Sequence, residues 1–408
     1  MVEKSLDKKL ADIHANSNSK AFIIADAKDA DMAFGISSPG AHSPEYHHGE
    51  LRYRTIQEYR DIMRQVVHQG LVDIMLMSAS SNEVLTIQER LFDDSHITPA
   101  ARANDTSEIH LLRGSCYNSM ASRPFRSATI DHMQCGKHEC APEERNLGCN
   151  LGLYSITLNN DLERDLAILT AYKEFRIEAE AKGFRHFLEV FDPNLPNAVE
   201  PEKLPGFIND AIARTLAGVT KSGLPIFLKV VYHGPKAMEE LVAYNSDLVI
   251  GIMGGSSGTT HDAFKLIADA QKYGGRVALY GRKINNSEHQ LSFIKFLRLI
   301  VDGEIEPAEA VAAYHGVLQG LNIKPQRSLQ DDIQLTAQVF SYGGKPSSAT
   351  VPAGVPASPK PAAQKPSGLP PVTKEELAPA RKNAKPWDNM TAQEKIEHNQ
   401  KERDRIFG

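Results

Sequence analysis

The chain has 408 residues, 41% of them hydrophobic, with 51 acidic against 46 basic side chains and a formal net charge of −5. Beyond residue 343 there are 11 Lys and Arg against 7 Asp and Glu, so that tail carries +4 and the body −9, which argues against a nucleic-acid partner. No run is apolar enough over the length needed to span a bilayer, the start Met-Val-Glu-Lys-Ser-Leu-Asp has no apolar signal core, and four cysteines fit a cytoplasmic protein.

In chain order, strand-like runs fall at 21–26, 71–77, 99–103 (the least defined), 152–158, 186–191, 226–232, 248–254 and 276–281. Helix-period stretches lie between most of them. Residues 55–69 place Ile56, Tyr59, Ile62, Met63 and Val66 on one side, and 162–182 and 205–222 behave alike, with Asp161 and Asn209 as caps or turn formers. Val/Ile/Leu strands alternating with helices mean a parallel sheet covered by helices, either a closed barrel or an open doubly wound sheet. An open dinucleotide-binding sheet would carry its glycine fingerprint after the first strand, and 27–40 has no Gly-x-Gly-x-x-Gly. A nicotinamide or flavin enzyme is therefore discounted, and no cofactor is expected.

The long connection 116–152 holds His132, Cys135, His138 and Cys140, followed by Cys149. These are zinc-type ligands, but their spacing matches no common finger or ribbon. A surface loop with reduced thiols is the favoured reading over a metal site. Its length suggests a functional segment or an oligomer contact.

Lys229 is the only charge in the apolar run 226–232, Ile-Phe-Leu-Lys-Val-Val-Tyr. A lysine in a core strand is costly unless solvated, paired or neutral, and the neutral amine attacks carbonyls. It could also snorkel out at a strand end. The next two strands each close in glycine. The first runs Ile-Gly-Ile-Met-Gly-Gly-Ser-Ser-Gly through Gly254, Gly255 and Ser256 and is followed by a helix from Asp262. The second ends in Gly281-Arg282 and is followed by a helix over 288–302. Backbone amides beyond such strands, a helix start and an arginine fork make an anion cradle. Paired cradles at the last two loops favour an eight-stranded barrel. The fold class expected is α/β, a (β/α)8 TIM barrel over residues 1–343.

From residue 344 the composition changes, with ten of the chain's 23 prolines between Pro346 and Pro386. Residues 344–386 are read as a disordered Pro/Ala-rich linker. Residues 387–408 read as a short C-terminal helix, with Thr391 and Glu394 as a capping box.

From residue 153 to about 318 the chain resembles the class I (Schiff-base) aldolase superfamily, the group of archaeal-type fructose-bisphosphate, tagatose-bisphosphate and deoxyribose-phosphate aldolases. The segment Leu228-Lys229-Val230-Val231-Tyr232 is similar to its sixth strand, which bears the imine-forming lysine. The resemblance implies phosphate binding by Gly254, Gly255, Ser256, Gly281 and Arg282, a glutamate near the lysine at Glu189, and a first-strand aspartate at Asp26. This chain departs from the archaeal pattern in two places. Asp26 is followed by Ala-Lys rather than His-Gly, and Thr157-Leu158 stands where an aromatic hydroxyl serves proton transfer, with Tyr154 out of register.

The mechanism so implied has Lys229 forming a protonated imine with a phosphorylated sugar or keto compound, which drives carbon–carbon cleavage or formation. Asp26 or Glu189 would act as acid/base, with a capping Asp26 and a salt-bridged Glu189 as the competing readings, and Lys28 either depresses the lysine's pKa or is solvated. Superfamily members are usually homo-oligomers. Two alternatives remain open: thiolase-like acyl transfer on the same scaffold, and a cargo or binding role in which the terminal helix docks to a partner or a microcompartment shell.

Overall fold

The computed structural model describes residues 2–16, 18–41, 53–255 and 258–337. The expectations for Ser256, the linker 344–386 and the terminal helix 387–408 lie outside these residues.

Eight parallel strands close a barrel: β1 Ile23–Lys28, β2 Ile74–Met77, β3 Thr98–Arg102, β4 Leu151–Thr157, β5 Arg185–Phe191, β6 Leu228–Val230, β7 Ile250–Met253 and β8 Val277–Tyr280, with β8 pairing back onto β1. This is the TIM barrel expected from the pattern, and each strand lies within about two or three residues of its expected position. α1 Ser5–Ala15 lies beneath the barrel, and the outer layer contains α2 Ile56–Gln69, α3 Leu162–Ala181, α4 Leu204–Leu216, α5 Pro235–Tyr244, α6 Thr260–Lys272, α7 Gln290–Val301 and α8 Pro307–Gly320, with shorter helical turns between. No described helix is long and apolar enough to cross a membrane. Thr55 opens α2 with a full capping box to Glu58, and Asp161 caps α3 by accepting from the Arg164 amide. Asn209 is not a cap. It sits inside α4, where its side-chain amide donates to the Ala237 carbonyl at 3.1 Å and ties α4 to α5.

Two apolar layers set the faces of the strands. Ile23, Ala25, Ala27, Ile74, Leu76, Ala100, Leu151, Leu153, Phe187, Phe227, Val249, Val277 and Leu279 fill the barrel interior. Leu6 and Leu10 of α1, one turn apart, join them from below and plug the N-terminal end. Ile24, Tyr154, Ile156, Leu188, Leu228, Val230, Ile250 and Ile252 face the surrounding helices. Because successive strand residues alternate in direction, these two sets fix which face every polar strand residue occupies.

The connection from β3 to β4 is an insertion with its own hairpin, Asp105–Thr106 against Pro124–Phe125, and a helix over Ile130–Cys135. Arg126 fastens it to α3, pairing with Glu178 at 2.5 Å and lying over the Phe175 ring. Asp131 holds Arg145 at 3.2 Å and contacts Lys182. Cys135 and Cys140 are joined in a disulfide, which corrects the expectation of reduced thiols and leaves neither sulfur as a thiolate ligand for a metal. Cys149 is buried and Cys116 exposed, both as free thiols.

Candidate active site

Strand register assembles the site. Ser155 of β4 lies beside Glu189 of β5, Glu189 beside Lys229 of β6, and Lys229 beside Gly251 of β7. All four share the inward face. Gly251 is required there, since a Cβ would stand 2.7 Å from that of Val277 and 2.8 Å from the Leu228 carbonyl oxygen. Lys229 is thus inside the barrel and 8% exposed, not snorkelling between helices.

Its ammonium contacts Glu189 Oε1. The other oxygen, Oε2, accepts from Ser155 Oγ at 2.6 Å and lies 3.6 Å from Arg102 Nη2. Arg102, inward on β3, donates from Nε to Asp29 Oδ2 at 2.6 Å and from Nη1 to Ser155 Oγ at 3.1 Å. Burial alone would lower the Arg102 pKa, but Asp29 and Glu189 more than offset that and leave it raised, so it stays a cation. Asn104 fixes Ser155 on both sides, accepting from its amide at 2.7 Å and donating to its carbonyl at 2.8 Å. Five groups therefore form one connected inward network: Asp29, Arg102, Ser155, Glu189 and Lys229. Above it, Phe34, Ile109, Phe191, Val231 and Met253 make an apolar ceiling.

Asp26 is not in this network. It shares the face of Ile24, which packs among the helices, while Ala25 and Ala27 face inward. Its Oδ1 accepts from Lys28 Nζ at 2.8 Å, and both side chains are fully buried. Burial pushes the Asp26 carboxyl up and the Lys28 amine down, each shift opposed by the partner's charge. Lys28 is accordingly neither solvated nor a neighbour of Lys229. Asp29, three residues further along, takes the inward aspartate position.

The two glycine turns meet at the C-terminal mouth. Gly254 is excluded from bearing a Cβ by the Tyr280 ring at 2.3 Å, and Gly255 has φ +60°. A Cβ on Gly281 would approach the Ala27 carbonyl oxygen to 3.0 Å, and Gly281 begins a four-residue helical turn, Arg282–Asn285. The start of α6 is a poorer anion site than its sequence suggests. Its Thr259 amide donates to Asp262 Oδ2 at 2.8 Å and its Thr260 amide to Asp332 Oδ1 at 2.8 Å. Lys283 supplies a cation that the sequence reading did not single out. Its Nζ donates to the Gly258 carbonyl at 2.9 Å, bridging the two turns, and burial, with Arg327 adding to it, brings its pKa down to about 8.

No protein-family profile matches the chain. Over 89 residues it is 36% identical to 2-amino-3,7-dideoxy-D-threo-hept-6-ulosonate synthase 1 of Archaeoglobus fulgidus, a match spanning 22% of this chain and one third of that relative's length. Among solved structures, an archaeal fructose 1,6-bisphosphate aldolase superposes with TM-score 0.50 at 13% identity, over 72% of this chain and 99% of the other. The fructose-bisphosphate aldolase of Slackia heliotrinireducens superposes with TM-score 0.53 at 15% identity, over 76% and 91%. At such identities the superpositions speak for the fold.

Proposed function

We propose that the protein is a class I aldolase acting on a phosphorylated sugar or keto compound through an imine on Lys229. The observation that carries this reading is the inward lysine in contact with a carboxylate whose second oxygen is tied to Ser155 and Arg102. Glu189 Oε1 takes a proton from the Lys229 ammonium, and the neutral amine adds to the substrate carbonyl to give a carbinolamine. The same carboxyl returns the proton to the departing hydroxyl, which leaves as water. The resulting iminium takes up the electron pair of the bond between the α and β carbons as the Glu189 carboxylate, deprotonated again by the dehydration step, accepts the β-hydroxyl proton. The β carbon leaves as an aldehyde and an enamine remains.

Ser155 and Arg102 keep Glu189 aimed at the amine, and Asp29 keeps Arg102 in place. The apolar ceiling excludes water while the imine exists. The phosphate would lie on the Gly255 and Gly281 turns with Arg282 and Lys283 as its cations. Exchange distinguishes this reaction from acyl transfer on the same scaffold, because only enamine formation labels the substrate. Dihydroxyacetone phosphate incubated with the enzyme in deuterium oxide should gain deuterium beside its carbonyl. Absence of label at enzyme concentrations that saturate the ligand would overturn the aldolase reading.

A further inference from the structure

One inward carboxyl is not used by the scheme above. Glu108 comes from the β3–β4 insertion and is fully buried. Its Oε1 accepts from Thr157 Oγ1 at 2.5 Å, while its Oε2 makes no hydrogen bond of full geometry among the described residues, although the Ser122 and Thr106 hydroxyls act on the carboxyl. Thr157 lies on the inward face of β4, two residues beyond Ser155. It therefore stands roughly 6.6 Å nearer the C-terminal mouth. The next residue of the insertion, Ile109, is part of the ceiling with Phe34, Phe191, Val231 and Met253. Thr157 pairs with Phe191 as Ser155 pairs with Glu189, so Glu108 lies at the level of the ceiling, one inward layer above Glu189 and Lys229.

Both carboxyls of the Lys229 network are already occupied. Glu189 is divided between Lys229 and Ser155, and Asp29 holds Arg102. A buried carboxyl with one oxygen anchored and the other without a hydrogen bond of full geometry is arranged to exchange a proton with a bound substrate. Burial raises the Glu108 pKa against the opposing pull of the Ser122, Thr157 and Thr106 hydroxyls, which makes its carboxylate a stronger base.

Resting on the imine chemistry proposed for Lys229, we infer that Glu108 is the catalytic base and acid at the carbon next to the imine carbon. Its carboxylate takes a proton from that carbon. The C–H electron pair becomes the enamine double bond, and the C=N pair moves onto nitrogen, neutralising the iminium. Reversal returns the proton to carbon, so no oxidant or co-reactant is needed.

The test compares wild type with Glu108→Gln, which keeps an acceptor for Thr157 and removes the exchangeable carboxyl. With dihydroxyacetone phosphate and borohydride, the variant should give the same adduct on Lys229 as wild type. Its deuterium exchange into free dihydroxyacetone phosphate should fall by about 10²–10⁴-fold. Retained exchange overturns the assignment, as does loss of trapping and exchange together, which would mark Glu108 as structural. If Glu108→Gln does not fold, Thr157→Val decides, because it leaves the carboxyl but not its anchor; full trapping with reduced exchange supports the role, and unchanged exchange refutes it. Wild type that neither traps nor exchanges removes the aldolase reading itself and this inference with it.

Discussion

Two lysines of this barrel are buried beside a carboxylate, and they face opposite ways. Lys28 meets Asp26 at 2.8 Å on the helix-facing side of β1, with both side chains fully enclosed. Lys229 meets Glu189 on the inward side of β6 and β5, and retains 8% exposure beneath a ceiling that belongs to three different loops and strand ends. The residue types are equivalent, so the difference in potential chemistry comes from strand parity. An outward pair is locked between sheet and helices and can contribute only to stability. An inward pair at the C-terminal half of a strand stands where loops can deliver a substrate.

The sharpest way to break the comparison is to remove each lysine in turn. Lys229→Met should abolish exchange and borohydride trapping, a loss of about 10⁴-fold or more in turnover, with the fold retained in circular dichroism. Glu189→Gln should lower the exchange rate by about 10²–10⁴-fold, since the amine then lacks its proton acceptor. Lys28→Met should leave trapping intact and instead cost about 3–5 kcal/mol in denaturant unfolding, because Asp26 remains buried without its cation. Loss of trapping in Lys28→Met with undiminished stability would erase the distinction between the two pairs.

Smaller effects sharpen the border between them. Asp31, just past β1, accepts from Ser78 Oγ at 2.6 Å, yet burial raises its carboxyl to about 6, with Asp29 adding to the shift. Since the folded protein binds that proton more tightly than the unfolded chain, stability should fall as pH rises from about 4 to about 6, by up to roughly 3 kcal/mol. In Asp31→Asn this slope should vanish from urea titrations taken across that window. Lys283, with its pKa brought down to about 8, loses its charge just above neutrality. Affinity for inorganic phosphate should therefore weaken by up to about tenfold per pH unit above 8 in wild type, and be weaker and flatter in Lys283→Met.

The barrel was legible because its strands are short Val/Ile/Leu runs separated by helix-period segments, and Lys229 was legible as a lone charge in such a run. Facing was harder. β1 is buried on both sides, so the alternation in Ala-Asp-Ala-Lys does not say that the alanines point inward and Asp26 outward. Arg102 was hidden because Thr-Pro-Ala-Ala-Arg is a weak strand signal, and its partners Asp29 and Ser155 are 73 and 53 residues away. Glu108 meets Thr157 across 49 residues, a contact that no local pattern encodes. The Cys135–Cys140 spacing suits a metal or a disulfide equally, and only the helix turn at Gly136, with φ +74°, and the chain's return to Cys140 bring the two sulfurs together.

Reduction with borohydride in the presence of dihydroxyacetone phosphate, followed by peptide mapping, asks which amine can form an imine. One adduct, on the peptide containing Lys229 and absent from that containing Lys28, is the predicted result. An adduct on Lys28, or none on any lysine under saturating ligand, would contradict the inward-pair account.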